Sequence, residues 1–173
     1  MIYFETERLI ARDYLERDYL PFSQMNADEE VMKYFPARLT QVESNALLDR
    51  NQKELTSLGY GLFAIEVKST NEFIGFTGLH EATFEAEFTP CIEIGWRLKR
   101  SAWNQGFATE AALGVLAFAK GITAINEIYS FTATCNKPSE KVMRKIHLTK
   151  IADFEHPALI NGDPLKPHVL YKA

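Results

Sequence analysis

One stretch, Ile92 to Lys120 (IEIGWRLKRSAWNQGFATEAALGVLAFAK), constrains this chain more than any other. It opens with alternation. Ile92, Ile94, Trp96 and Leu98 fall on one face of an extended strand, Glu93 and Arg97 on the other, with Gly95 between them. A compact polar turn, Ser101 to Gly106, follows. Then Ala108 to Lys120 carries almost nothing but Ala, Leu, Val and Phe, with Thr109 and Glu110 at the front and Lys120 at the back. These are helix formers at helical length. A strand, a short glycine-containing loop and an immediate helix make an anion-binding arrangement. The free N–H groups of the first helical turn point into the loop, and the helix macrodipole favours negative charge there.

The totals narrow the class. A chain of 173 residues, 46% of them apolar, fits a single domain over residues 1–173 with a sizeable core. A net charge of −4, with no basic run longer than Leu98-Lys99-Arg100, argues against nucleic acid, whose phosphates need an excess of Lys and Arg. Cys91 and Cys135 each lie in or beside a strand without CxxC spacing, and read as reduced, buried small hydrophobes. There is no secretory signal at the N-terminus and no long apolar run, so no membrane partner is expected and the reading is cytoplasmic.

Along the chain, Arg8–Arg12 reads as a first strand. Leu15–Asn26 reads as a helix with Tyr19, Leu20, Phe22 and Met25 inward, and Asp28–Tyr34 as a short helical turn stopped by Pro36. Thr40 and Glu43 form a capping box for a helix to Leu58, with Ala46, Leu47, Leu48 and Leu55 buried and Gly59 ending it. Gly61–Val67 and Phe73–Leu79 are a hairpin pair, and Gly75 and Gly78 in the second strand suggest a bulge or a close backbone approach. An acidic loop (Glu81, Glu85, Glu87) leads to the strand at Ile92. Ile122–Asn126 reads as a turn, Glu127–Thr134 as a strand and Lys137–Ile146 as a helix burying Val142, Met143 and Ile146. Leu148–Phe154 and His168–Tyr171 are the last strands. Consecutive strands joined by short turns give an α+β layout rather than a doubly wound one. The loop Trp103-Asn104-Gln105-Gly106-Phe107-Ala108 is neither GxGxxG nor a P-loop.

Four segments in this order resemble the GCN5-related N-acetyltransferase (GNAT) family, in its RimJ/RimL-type branch. They are Glu5–Arg12, Phe73–Gly78, the pair Glu93–Leu98 and Trp103–Ala111, and Asn136–Met143, so the likeness spans nearly the whole chain. The resemblance implies a mixed, mostly antiparallel central sheet of about seven strands, with a splayed central strand pair and about four flanking helices. It also implies acetyl-CoA as co-substrate, with no metal.

On that resemblance the anion is the diphosphate of acetyl-CoA, held by N–H groups of Asn104, Gln105, Gly106, Phe107, Ala108 and Thr109. Asn104 stands where the family usually has Gly, and Asn enters the left-handed region readily. Ile94, Gly95, Trp96 and Leu98 would hold the pantetheine arm as an added strand, with a bulge at Gly95 splaying the sheet and an N–H near Ile94 or Gly95 polarising the acetyl carbonyl. Asn136 and Ser139 look like further cofactor contacts, Ser139 near the sulfur. Where many relatives carry an acidic Tyr, Asn136, Ser139 and His147 are the polar candidates here, and Ser139 also reads as a plain helix N-terminal residue. Glu93 matches the position of a carboxylate base and would deprotonate the acceptor amine. Its alternative reading is a solvated residue paired with Arg97. Tyr34 and Phe35 fall in the family's acceptor loop and His168 in the strand bordering the acceptor cleft, so with Glu93 they are the candidate acceptor contacts. Each aromatic also has a packing reading, and His168 a plain hydrogen-bonding one. His147 stands where the family has Gly and reads as structural.

The expected activity is acetyl transfer from acetyl-CoA to a primary amine, on a protein N-terminus or a small molecule. It proceeds directly in a ternary complex, because no Cys or Ser with a paired His marks a covalent nucleophile. A monomer or homodimer fits equally. The rivals are a non-catalytic acyl-CoA-binding module of the same fold and a general phosphate-ligand protein.

Overall fold

The computed structural model describes residues 1–122 and 125–173; the turn expected over Ile122–Asn126 lies in part outside the described residues. Eight strands form one sheet: β1 (Ile2–Glu5), β2 (Leu9–Arg12), β3 (Leu62–Val67), β4 (Glu72–Ala82), β5 (Cys91–Leu98), β6 (Ile128–Ala133), β7 (Thr149–Glu155) and β8 (Pro167–Lys172). Their spatial order is β1-β2-β3-β4-β5-β6-β8-β7. Every neighbouring pair is antiparallel except β5 and β6, which run parallel. The helices are α1 (Tyr19–Ala27), α2 (Gln41–Leu58), α3 (Phe107–Ala119) and α4 (Lys137–Lys145). This is the expected α+β layout with one strand more. The added strand is β1, which the charges of Glu5, Glu7 and Arg8 hide in the sequence.

The two faces of the sheet are covered by different helices. Phe22 of α1 stacks on Phe76 of β4, and Asn26 of α1 accepts from Arg97 of β5. So α1 and α2 cover the face that carries Phe76 and Arg97. On the other face Phe118 of α3 packs edge-on against Phe63 of β3, and Asn136, which caps α4, donates to Thr132 of β6. A buried ion network ties the chain start together: Arg12 bonds Asp18 at 2.6 Å and Glu66 at 2.7 Å. Among the described residues no helix is long and apolar enough to cross a membrane.

Local chemistry sets the elements. Thr40 accepts from the Glu43 N–H while Glu43 reaches back to the Thr40 N–H, and Gly59 closes α2 in the left-handed region at φ 74°. The buried side of α2 differs from the apolar expectation. Ser44, Leu48, Asn51 and Leu55 are buried, whereas Ala46 is exposed and Leu47 only half-buried. The reason is that Asn26 and Tyr14 supply polar partners for Ser44 and Asn51. Leu20 of α1 also faces solvent, at 60% exposure, whereas Phe22 and Met25 are buried in the core and Tyr19 packs partly against it. Cys91 is buried as expected, but Cys135 is exposed, because it stands in the turn after β6. On α4, Met143 and Ile146 are buried and Val142 partly so.

Both glycines of β4 mark close approaches. A Cβ on Gly75 would stand 2.1 Å from the Arg97 carbonyl oxygen, and one on Gly78 would stand 1.9 Å from that of Gly61. Gly75 has φ 138°, and the β3–β4 register slips beside it.

The opening in the sheet lies between β5 and β6. Their pairing is limited to Ile92↔Ile128 and Glu93↔Tyr129. Beyond that point the Ser130 hydroxyl, rather than a backbone N–H, donates to the Ile94 carbonyl at 2.9 Å. Gly95 does not make this opening by a bulge: β5 pairs with β4 in unbroken register from Cys91 to Leu98. The strands part because β6 leaves, not because β5 kinks.

Candidate active site

The turn after β5 forms a row of free donors. Asn104 and Gly106 both lie in the left-handed region, at φ 58° and 81°. Gly106 is the N-cap of α3, and the first intrahelical bond runs from the Glu110 N–H to the Gly106 carbonyl. Among the described residues none of the N–H groups from Asn104 to Thr109 has a hydrogen-bond partner. Asn104, Gln105 and Gly106 are exposed, Phe107 is buried, and Ala108 and Thr109 are half-buried. Successive N–H groups in this geometry make an anion-binding concavity.

A strap from the chain start holds this loop. Arg8 donates through Nη1 to the Gln105 carbonyl at 3.0 Å and through Nε to Glu110 at 2.6 Å, and lies 4.5 Å from the Phe107 ring centre. Glu110 also accepts from the Thr6 hydroxyl and the Arg8 N–H. Burial works to raise the Glu110 pKa, but these bonds outweigh it and hold the carboxyl below its ordinary range.

The free edge of β5 leads away from the loop. The Ile94 carbonyl faces β6, since it accepts from Ser130. Alternation places the backbone groups of Trp96 and Leu98 on the same edge. The Leu98 carbonyl takes the Trp103 indole N–H at 2.9 Å, which leaves Trp96 as the first residue past the parallel pairs with free edge groups. Gly95 turns its backbone to the other side, where its carbonyl accepts from Thr77. Across the opening, Asn136 caps α4: its Oδ1 accepts from the Ser139 N–H and its Nδ2 donates to Thr132. Both ends of its amide are thereby occupied. Ser139 is half-buried, and among the described residues its hydroxyl has no hydrogen-bond partner. Because β5 and β6 are parallel, the N-termini of α3 and α4 stand at the same end of the sheet, where the strands have parted.

Glu93 lies on the α1/α2 face, beside His80 in the β4–β5 register. Only 17% of its side chain is exposed, and the loss of solvent pushes its pKa up to about 8. His80 Nε2 stands 3.5 Å from Glu93 Oε2. Burial, with help from Arg50 and against Glu81, lowers the His80 pKa. Both members of the pair therefore favour their neutral forms. Glu93 makes no ion pair with Arg97, which bonds Asn26 instead. Phe35, 38% exposed, stacks over Arg97, and Tyr34 lies half-buried beside Lys33. His168 is not brought to Glu93 by any contact: its Nδ1 meets the Lys166 carbonyl at 3.0 Å, in an aromatic group with Phe131, Phe154 and His156. His147 sits at φ 66° just past α4, a position for which glycine is the usual residue.

A family model described as an acetyltransferase (GNAT) domain matches residues 8–149. The chain belongs to the GNAT acetyltransferase family. It is 27% identical over 158 residues to an uncharacterized N-acetyltransferase, YnaD, of Bacillus subtilis (strain 168), covering 89% of this chain and 86% of that one. It is 30% identical over 155 residues to an uncharacterized N-acetyltransferase, p20, of Bacillus licheniformis, covering 87% and 85%. Among solved structures, a GNAT-family acetyltransferase from Bacillus anthracis superposes with a TM-score of 0.81 at 24% identity, over 100% of this chain and 98% of that one. RimL, a ribosomal L7/L12 α-N-protein acetyltransferase in complex with coenzyme A, superposes with a TM-score of 0.79 at 18% identity, over 100% and 97%. As a GNAT protein the chain is an acyltransferase.

Two residues of this candidate site escaped the sequence. Arg8 is separated from Gln105 and Glu110 by most of the chain, and only the fold of β2 against α3 brings it to the loop. His80 stands opposite Glu93 through the β4–β5 register, which the extension of β4 to Ala82 makes possible. The expected end of that strand at Leu79 left it outside.

Proposed function

We propose that this protein is an N-acetyltransferase, with residues 1–173 acting as one cytoplasmic domain, that moves the acetyl group of acetyl-CoA directly to a primary amine. The observation that carries the reading is the unpartnered N–H row from Asn104 to Thr109 at the foot of a strand edge left free beyond Glu93. Acetyl-CoA supplies the acyl group as a thioester. The N–H row, with the Thr109 hydroxyl, binds its diphosphate, and the Trp96 edge groups bind its amide-bearing arm as an added strand. The left-handed backbone at Gly106, φ 81°, favours a residue without a side chain, and the left-handed turn at Asn104 keeps the donors convergent.

Glu93 accepts the proton that the acceptor amine must lose, and burial tunes it close to working pH. The Ser139 hydroxyl, free of other partners in the first turn of α4, donates to the leaving sulfur, and the positive end of that helix favours a thiolate there. Direct transfer fits the cysteines. Burial, with Glu93 adding to it, pushes the Cys91 thiol up to about 11, the wrong direction for a nucleophile. Tyr34, Phe35 and, further off, His168 line the side from which the acceptor would arrive.

The test has two arms. Acetyl-CoA raises the melting temperature well beyond the shift given by ATP at equal concentration; equal shifts would mean a general phosphate site. A free-thiol assay over a panel of amines then shows CoA release, which Glu93→Gln lowers by about 10²–10⁴-fold without weakening CoA binding. CoA stabilisation with no release above background for any amine would leave a binding module instead.

A further inference from the structure

Arg97 is a largely enclosed cation without a counter-charge. Nη1 donates to Asn26 Oδ1 at 2.7 Å. The guanidinium lies 4.2 Å from the Phe35 ring centre and 5.2 Å from that of Phe76. Nε is shut away from solvent with no partner. Among the described residues no carboxylate stands within ion-pair range of it. Asn26 is fully buried and its Nδ2 donates to the equally buried Ser44 at 2.8 Å, so the contact to Arg97 orients the guanidinium without neutralising it. Keeping a desolvated charge unpaired is costly, and burial already pulls the Arg97 pKa down to about 10.

The space next to it on the same face is open. Gly95 separates Glu93 from Arg97, and a Cβ built there would meet only Glu93 Oε1, at 4.0 Å. The Glu93 carboxyl therefore leans over Gly95 towards Arg97. Strand rise puts the two Cα atoms about 13 Å apart, and the lean shortens the gap between functional groups to on the order of 7–10 Å. That is the span of two or three extended residues.

We propose that Arg97 determines acceptor specificity by pairing with a carboxylate that the acceptor carries two or three residue-lengths from the amine presented to Glu93. The proposal rests on the acetyl-transfer reading above. Nη2, which has no partner among the described residues, is the nitrogen left for that contact. The recognised chemistry is an N-terminal amine followed at short range by a carboxylate. A free di- or tripeptide offers it at its C-terminus, and a polypeptide N-terminus offers it on an acidic second or third residue.

The experiment compares kcat/KM at saturating acetyl-CoA within two matched pairs. Ala-Ala-Glu against Ala-Ala-Gln, both C-terminally amidated, reads the side-chain source. Ala-Ala with a free C-terminus against its amide reads the free-peptide source. Equilibrium binding of the same peptides to the protein–CoA complex is measured alongside, so that the answer does not depend on turnover. The acid is favoured about 10-fold in at least one pair, mainly through KM. Arg97→Gln brings that ratio to about one, and Arg97→Lys restores part of it. No preference for the acid in either rate or binding overturns the proposal, as does a preference that survives Arg97→Gln. Should Arg97→Gln lose its native melting transition, the wild-type ratios and Arg97→Lys decide. Acidic peptides that bind preferentially yet never release CoA would sink the acetyl-transfer reading and leave Arg97 as the carboxylate contact.

Discussion

With its pKa pushed up to about 8 by burial, Glu93 keeps its proton through the neutral range and becomes a carboxylate only above it. For the free enzyme kcat/KM therefore rises with pH and levels off above about 8, and Glu93→Gln removes that limb. The same shift acts on folding. The folded state prefers the protonated acid, so this stabilisation is fully present below the ordinary value of 4.5 and is lost as pH rises through about 8. The melting temperature of wild type relative to Glu93→Gln declines across that window and is flat beyond it. A rate limb that persists in Glu93→Gln assigns the base elsewhere, with His80 the nearest titratable neighbour. Raising a carboxyl by desolvation needs no charged partner, which is why nothing around Glu93 in the sequence announced it.

At the scale of elements, α3 carries an unusual pairing of tasks. In the proposed reading its N-terminus accepts an anion, yet Glu110 sits in its first turn. Arg8, just before β2, resolves the conflict by pairing with Glu110 and bracing the Gln105 carbonyl. Arg8→Met leaves that acid uncompensated beside the proposed diphosphate site, so CoA affinity measured by calorimetry is expected to fall about 10-fold. Adding Glu110→Gln recovers most of the loss. A single variant with unchanged affinity would show that Arg8 merely packs on Phe107. The junction of α4 and β8 is held by a similar acid: Glu140 is brought down to about 2 by bonds from Tyr171 and Lys137, against burial.

Across the whole molecule, what could be read in advance was what is decided locally. Alternation found β3 to β5, Thr40 and Gly59 bounded α2, and the free N–H row follows directly from a left-handed turn entering a helix. What could not be read was decided by partners distant in the chain. Ser44 and Asn51 are buried because of residues outside α2, Arg97 turned to Asn26 rather than Glu93, and the sheet opens through the departure of β6 rather than any feature of Gly95. Charged neighbours masked β1. The sheet is thus two units, β1 to β5 and β6-β8-β7, joined by two residue pairs. That opening bears on how the protein behaves in a tube. An unpaired strand edge is a template for strands from other molecules, and in the proposed binding mode the Trp96 edge lies bare whenever the thioester arm is not seated on it. Protein stripped of CoA is expected to self-associate on standing, seen as rising light scatter, and added CoA to suppress it in proportion to occupancy. The co-substrate would then serve this enzyme between turnovers too, as the strand that keeps it from sticking to its own kind.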